Sequence, residues 1–165
     1  MSHDYIIEPL RKDHVREQFD CGEPELNTYL EVYARQSDGT GLGRTFVAVL
    51  EGSRTPLGYY TLASGSITFD IVPKKLPRYP IPVIHLARLA VDRSAQGKGL
   101  GGLLLANALQ RSVGIAMDVG VYAVELYAKN ESAKLFYSKF GFTELSNDHM
   151  HLYLPIRSIQ IPEIF

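Results

Sequence analysis

The sequence predicts an α/β chain of the mixed α+β kind, with one central mixed β-sheet flanked by helices in a single domain spanning residues 1–165. Three observations predict it. An apolar run, Ile84 to Val91, passes through a polar turn and a glycine cluster into a leucine-rich helix, and a β-rich run, Val121 to Ala128, follows that helix. A strand, helix and strand in this order give a parallel pair when the crossover is right-handed. Upstream, Thr45 to Leu50 and Leu57 to Thr68 flank the turn Gly52-Ser53-Arg54-Thr55-Pro56; downstream, Phe142 to Leu145 and Met150 to Leu154 close the chain. Both read as antiparallel hairpins.

The remaining elements follow in order. Tyr5 to Pro9 alternates like a first strand, and Arg11 to Phe19 is a short polar helix or turn. Cys21-Gly22-Glu23-Pro24 starts a helix, with Pro24 near its first position and Glu23 and Glu25 matched to the dipole. Leu26, Tyr29, Leu30 and Tyr33 make one apolar face, and Ser37 to Gly43 is a glycine-rich break. Pro73, Pro77, Pro80 and Pro82 keep Val72 to Pro82 extended and out of helix or central strand. A helix from about Gly99 to Asp118 ends before Val119-Gly120; Asn130 caps another, which runs to a stop at Gly141.

Composition narrows the function classes. At 165 residues with 45% hydrophobic and 21% charged side chains, the chain has the make-up of a soluble globular protein. It shows no signal peptide and no apolar run of eighteen residues, so no membrane role is expected. A single cysteine, Cys21, excludes an internal disulfide and fits the cytoplasm. It reads as a structural thiol rather than a nucleophile. His149 and His151 lack further ligands in register, so no metal site is expected. The net charge of −1 hides an asymmetry. Residues 1–60 carry six basic and ten acidic side chains, residues 61–111 seven and two, and residues 112–165 four and six. The electropositive middle third holds the glycine cluster and suits an anionic ligand.

That cluster carries the chemistry. Alternating glycines at a helix start leave orphan amides facing a ligand, and the dipole adds partial positive charge, so the turn is a diphosphate cradle. A Walker A loop fails because Gly99, not Ser or Thr, follows Lys98. Gly97-x-Gly99-x-x-Gly102, with Glu125 downstream, formally fits a dinucleotide fingerprint. However, Asp92 to Gln96 separate it from its strand, and only 63 residues remain beyond Gly102.

Gln96-Gly97-Lys98-Gly99-Leu100-Gly101 resembles the pyrophosphate loop of the GNAT acetyltransferase superfamily. Asn130-x-x-Ala133-x-x-x-Tyr137-x-x-x-Gly141-Phe142 resembles the second half of that cofactor site. The resemblance implies the GNAT fold, with splayed parallel strands 4 and 5, and acetyl-coenzyme A as cofactor. It implies that the backbone amides of Gln96 to Gly101 hold the pyrophosphate and that Leu89, Ala90 and Val91 pair with the pantetheine. Asn130 and Ser132 would then contact the far side, and Tyr137 would donate to the departing sulfur.

A narrower resemblance runs through Phe19 to Gly22, Leu26-Asn27, Tyr29-Leu30, Arg44 to Ala48, Gly58 to Leu62, Pro73 to Pro80 and Leu86 to Asp92. These segments are similar to the GNAT toxins of bacterial toxin–antitoxin pairs. That implies acetylation of the α-amine of aminoacyl-tRNA, arrest of translation and a ribbon-helix-helix antitoxin as partner, and leaves room for a homodimer. Arg44, Lys74, Lys75, Arg78 and Arg88 would then meet the tRNA. The alternatives are an acetyltransferase of a small amine or peptide N-terminus, and a cofactor-binding module without catalysis.

Overall fold

A computed structural model describes residues 4–160. The chain forms β1 (Tyr5–Pro9), α1 (Pro24–Thr28), α2 (Ala34–Thr40), β2 (Arg44–Leu50), β3 (Gly58–Ile67), β4 (Ile81–Val91), α3 (Leu100–Ala116), β5 (Ala123–Tyr127), α4 (Glu131–Ser138), β6 (Thr143–Leu145) and β7 (Asp148–Pro155), with a π-helical turn, Tyr29–Tyr33, joining α1 to α2. The strands form a seven-stranded mixed sheet in the order β1-β2-β3-β4-β5-β7-β6. The expected mixed α/β architecture is the one observed.

The chain divides into two compact units. One takes the residues up to Ala63 together with Ala87–Ala108, and the other takes Ser64–Leu86 together with the chain from Leu109 onward. In the first, β1 pairs antiparallel with β2, and β2 with β3. Leu10, Phe19, Tyr29, Leu30, Ala34, Val47, Val49, Tyr59 and Ala90 make its core. Inside it the Tyr59 hydroxyl donates to Leu26 O at 2.7 Å, and Thr45 and Thr61 bond across β2 and β3 at 2.8 Å. In the second unit, Val83–His85 of β4 run parallel to Ala123–Glu125 of β5, and β5, β7 and β6 continue antiparallel. Its core holds Ile67, Val72, Ile81, Val83, Ala123, Leu145 and Tyr153.

One local alternative is resolved and two expectations need correction. Arg11 to Phe19 is a string of turns, with the buried His14 bonded to Glu8 at 2.9 Å. The helix begun at Pro24 does not break at Ser37; it runs to Thr40 and stops at Gly41, whose φ of 78° is the left-handed cap. Inside it, the wider π turn shifts the phase of the apolar face, so Tyr29 and Leu30 are buried while Tyr33 is exposed. Finally, β4 begins at Ile81, and Pro82 lies within it. Proline lacks a donor but keeps its carbonyl, which accepts from Tyr122 N at 2.8 Å.

Gly58, the first residue of β3, has no room for a side chain. A Cβ there would sit 2.7 Å from Leu104 Cδ1, 3.2 Å from Ala90 O and 3.3 Å from Leu100 Cδ2. Leu104 and Leu100 are themselves buried and cannot swing away. Gly58→Ala is therefore expected to cost about 1–3 kcal/mol of stability through overpacking. Denaturant unfolding measures it, and an unchanged midpoint contradicts the packing described.

Candidate active site

The turn from β4 into α3 is built by side chains that bond their own backbone. Asp92 Oδ2 accepts from Ser94 N and Ser94 Oγ at 3.0 and 2.7 Å, and its Oδ1 accepts from Asp20 N at 2.9 Å. Burial pushes the Asp92 carboxyl up, but these donors outweigh it, so its pKa lies below the ordinary value. Gln96 Nε2 donates to Val91 O at 2.8 Å and to Cys21 O at 3.0 Å. Lys98 Nζ donates back to Ser94 O at 3.1 Å. The Gln96 and Lys98 side chains are thus braces of the loop.

What the braced loop presents is backbone. Gly97 and Gly99 have φ of 76° and 86°, and a Cβ on either would meet nothing within 4 Å. These glycines answer to conformation, with open space in front. The first bond of α3 runs from Leu103 N to Gly99 O at 3.2 Å. Among the described residues, the amides of Gly97 to Gly101 donate to no other group. A run of unsatisfied amides at the start of a 17-residue helix suits a diphosphate, so the residues present fit that end of coenzyme A. On β4 itself, Ala90 is buried and Leu89 and Val91 are half-buried.

In the second unit, Asn130 is the N-cap of α4, its Oδ1 accepting from Ala133 N at 2.8 Å, and Ser132 is exposed in the first turn. The cap is worth about 1 kcal/mol to the helix. Tyr137 lies near the end of α4 with its ring edge-on to Phe136 and Phe142, at 5.2 and 5.8 Å between centroids. Its hydroxyl makes no hydrogen bond among the described residues, and burial pushes its pKa up to about 12. The phenol therefore stays protonated at any physiological pH.

The five expected tRNA-facing cations fall into three settings. Lys74, Lys75 and Arg78 are exposed on the proline-rich segment, Arg78 standing 6.0 Å above the Phe69 ring. Arg44 is held by Asp38 through both its carboxylate and its carbonyl, at 2.8 and 2.6 Å. Arg88 Cζ stands 3.5 Å over the Tyr29 ring centroid, in the wall of an open pocket of about 380 Å³ shared with Pro24, Glu25, Thr28 and Tyr33.

One cluster escaped the sequence reading. Glu125, which the sequence offers only as the acidic residue downstream of a formal dinucleotide fingerprint, is buried in β5 between two imidazoles. Its Oε1 lies 2.5 Å from His85 Nδ1 on β4 and its Oε2 lies 2.5 Å from His151 Nε2 on β7. Burial pushes its carboxyl up, but the two imidazole donors win, and the pKa is lowered. The available signal was a carboxylate in the middle of an apolar β-run, with a histidine on each neighbouring strand.

Comparison with known proteins identifies the chain. Residues 41–144 match the family model of the acetyltransferase (GNAT) domain. The chain belongs to the GNAT acetyltransferase family. It is 40% identical over 139 residues, 82% of each chain, to the tRNA-acetylating toxin of Mycobacterium tuberculosis (strain ATCC 25618 / H37Rv). Its structure matches AtaT complexed with acetyl-methionyl-tRNAfMet, with a TM-score of 0.88 at 32% identity over 94% of this chain and 96% of that one. It also matches a mutant of the AtaT toxin bound to the C-terminus of the antitoxin AtaR and acetyl-CoA, with a TM-score of 0.81 at 31% identity over 94% and 95%. As a GNAT acetyltransferase the chain is an enzyme that uses acetyl-CoA. Among the described residues, no helix is long and apolar enough to cross a membrane.

A side chain at position 99 would strain a φ of 86° and stand in the space before the loop amides. Gly99→Val is expected to weaken acetyl-CoA binding at least tenfold, roughly 1.4 kcal/mol, and to lower the melting temperature through the strain at that φ. Calorimetric titration checks it, and wild-type affinity contradicts the cradle.

Proposed function

We propose that this chain acetylates the α-amine of aminoacyl-tRNA, that it does so in the cytoplasm as a toxin arresting translation, and that a ribbon-helix-helix antitoxin restrains it. The observation that carries this reading is the similarity to a tRNA-acetylating toxin over four-fifths of both chains. The chemistry of the residues supports it. Among the described residues, the three exposed cations Lys74, Lys75 and Arg78 make no ion pair of the kind that holds Arg44, and they suit a polyanion better than a small amine. Arg44 and Arg88 add fixed charge.

Acetyl-CoA, when bound, supplies a thioester carbon for the amine to attack and a sulfur that leaves as thiolate. In this reading the amides of Gln96 to Gly101 bind its pyrophosphate, the β4 backbone at Leu89, Ala90 and Val91 takes the pantetheine, and Asn130 and Ser132 contact its far side. Tyr137 acts on the sulfur. A phenol held near 12 surrenders its proton to a thiolate of ordinary basicity, near 8.5, only uphill. Tyr137 therefore works as a hydrogen-bond donor to the developing charge, and the proton that finally rests on sulfur is one the attacking nitrogen must shed. Tyr137→Phe keeps the ring contacts and removes that donor. It is expected to leave acetyl-CoA affinity unchanged and lower single-turnover acetylation about 10²-fold; wild-type rates in single turnover overturn the assignment.

The polyanion is tested through salt. Removing one cation that meets a phosphate flattens the slope of log affinity against log salt by about 0.7–0.9. The variant Lys74→Ala/Lys75→Ala/Arg78→Ala is expected to bind tRNA more weakly, with a slope about 2–3 shallower. It should relieve growth arrest on induced expression and keep acetyl-CoA affinity. A triple variant as toxic as wild type, with the same slope, rejects the tRNA reading.

A further inference from the structure

The Glu125 cluster is left without a role by the function proposed above, and it is expensive to bury. We propose that His85 is the base that relieves the substrate ammonium of its proton, oriented by Glu125, with His151 fixing Glu125 from behind; this rests on the cofactor placement proposed for the loop and β4.

The hydrogen-bond arithmetic selects the atom. A carboxylate only accepts, so both imidazoles donate to Glu125: His151 through Nε2 and His85 through Nδ1. A neutral His85 with its hydrogen on Nδ1 carries its lone pair on Nε2, the nitrogen facing away from Glu125. The two histidines differ in access. His151 is buried, its Nδ1 lies 3.1 Å from Asn147 Oδ1, and Tyr127 stacks on it at 3.9 Å and 9°. His85 is half-buried, with 35% of its side chain accessible. Its neighbour on β3 is Gly65, where a Cβ would stand 3.6 Å from His85 Cβ, and Ser64, Gly65 and Ser66 are exposed. A side chain at 65 would narrow the approach to the ring, and the chain puts none there. The remaining titratable group in register is Tyr153 of β7, opposite Glu125.

Direction along β4 completes the argument. A ligand with its diphosphate at the loop after β4 and its pantetheine on Leu89–Val91 runs back along the strand, so its thioester points toward the strand's start. His85 lies four residues before Leu89 along β4. In the step assigned to it, an N–H bond of the ammonium breaks with its electron pair left on nitrogen, and the proton forms a bond to His85 Nε2. The freed amine then forms the C–N bond as C–S breaks, sheds its second proton to the thiolate, and His85 returns the first to water. One proton is released per turnover, as the overall reaction requires.

The test compares wild type, His85→Ala, His85→Gln and Glu125→Gln on an aminoacyl-tRNA pool and on methionine ethyl ester, from about pH 6 to 9, the range in which imidazole and α-amine titrate. Melting temperature and acetyl-CoA affinity confirm that the variants are folded and loaded. His85→Ala is expected to reduce turnover about 10²-fold near pH 6.5. The deficit should shrink toward the alkaline end, where the amine is already neutral, and imidazole added to the buffer should restore part of the rate. In the enzyme without ligand, NMR of the imidazole nitrogens should find hydrogen on His85 Nδ1 and none on Nε2, and Glu125→Gln should disturb that tautomer. A deficit equal at every pH, no rescue by imidazole, or hydrogen resident on Nε2 overturns the proposal. Turnover of the ester without turnover of the tRNA pool rejects the tRNA reading alone and leaves His85 to be decided on the ester. No turnover of either rejects both.

Discussion

The bonds that Asp92 and Gln96 make to backbone hold the turn on which the proposed cofactor cradle depends. A strand that ends beside a helix start leaves carbonyls and amides without partners, and here two polar side chains take the ones on the protein side. Asp92 receives the amides of Asp20 and Ser94, while Gln96 reaches the carbonyls of Val91 and Cys21. What they leave unpaired among the described residues is a row of amides from Gly97 to Gly101. Such a row suits an anion. The loop needs no cation of its own, which is why Lys98 can be folded back onto Ser94 O without loss.

Much of this was legible because it is local. Glycines at 97 and 99, a helix former at every position from Leu103 to Leu105, an Asn at a helix start and a glycine past its end each declare themselves within a few residues. The strands were found to within one to three residues for the same reason. The boundary at Ser37 was misjudged because Gly39 counts against a helix locally, whereas Leu30 and Ala34 are fully buried and the packing they provide outweighs one glycine. Pro82 was excluded from the strand by a rule about donors, yet the strand there uses its carbonyl.

The polar cluster was illegible for the opposite reason. His85, Glu125 and His151 are far apart in the chain and become neighbours only through the register of β4, β5 and β7. Parallel pairing puts His85 opposite Glu125, and antiparallel pairing puts His151 opposite Tyr127, one step along from Glu125 on the same face. A shift of one residue in either pairing would turn the carboxylate to the other face of the sheet. The ion therefore also fixes register, since any slip leaves a buried charge without donors.

Burial acts on two acids of this enzyme and leaves them in opposite states. Around Tyr137 the rings of Phe136 and Phe142 pack edge-on and its hydroxyl makes no hydrogen bond among the described residues, so desolvation stands alone and the phenol is held neutral. Around Glu125 two imidazoles supply donors, so the same desolvation is overcome and the carboxyl is held ionised. Each state suits a different task. A neutral phenol can give a hydrogen bond to charge that appears late, on a leaving sulfur, without having been repelled by an anion beforehand. An ionised carboxylate can keep a neighbouring imidazole in one tautomer before any substrate arrives. The first is a readiness to donate and the second a fixed orientation, and the difference is made by the donors placed around each group, with burial common to both.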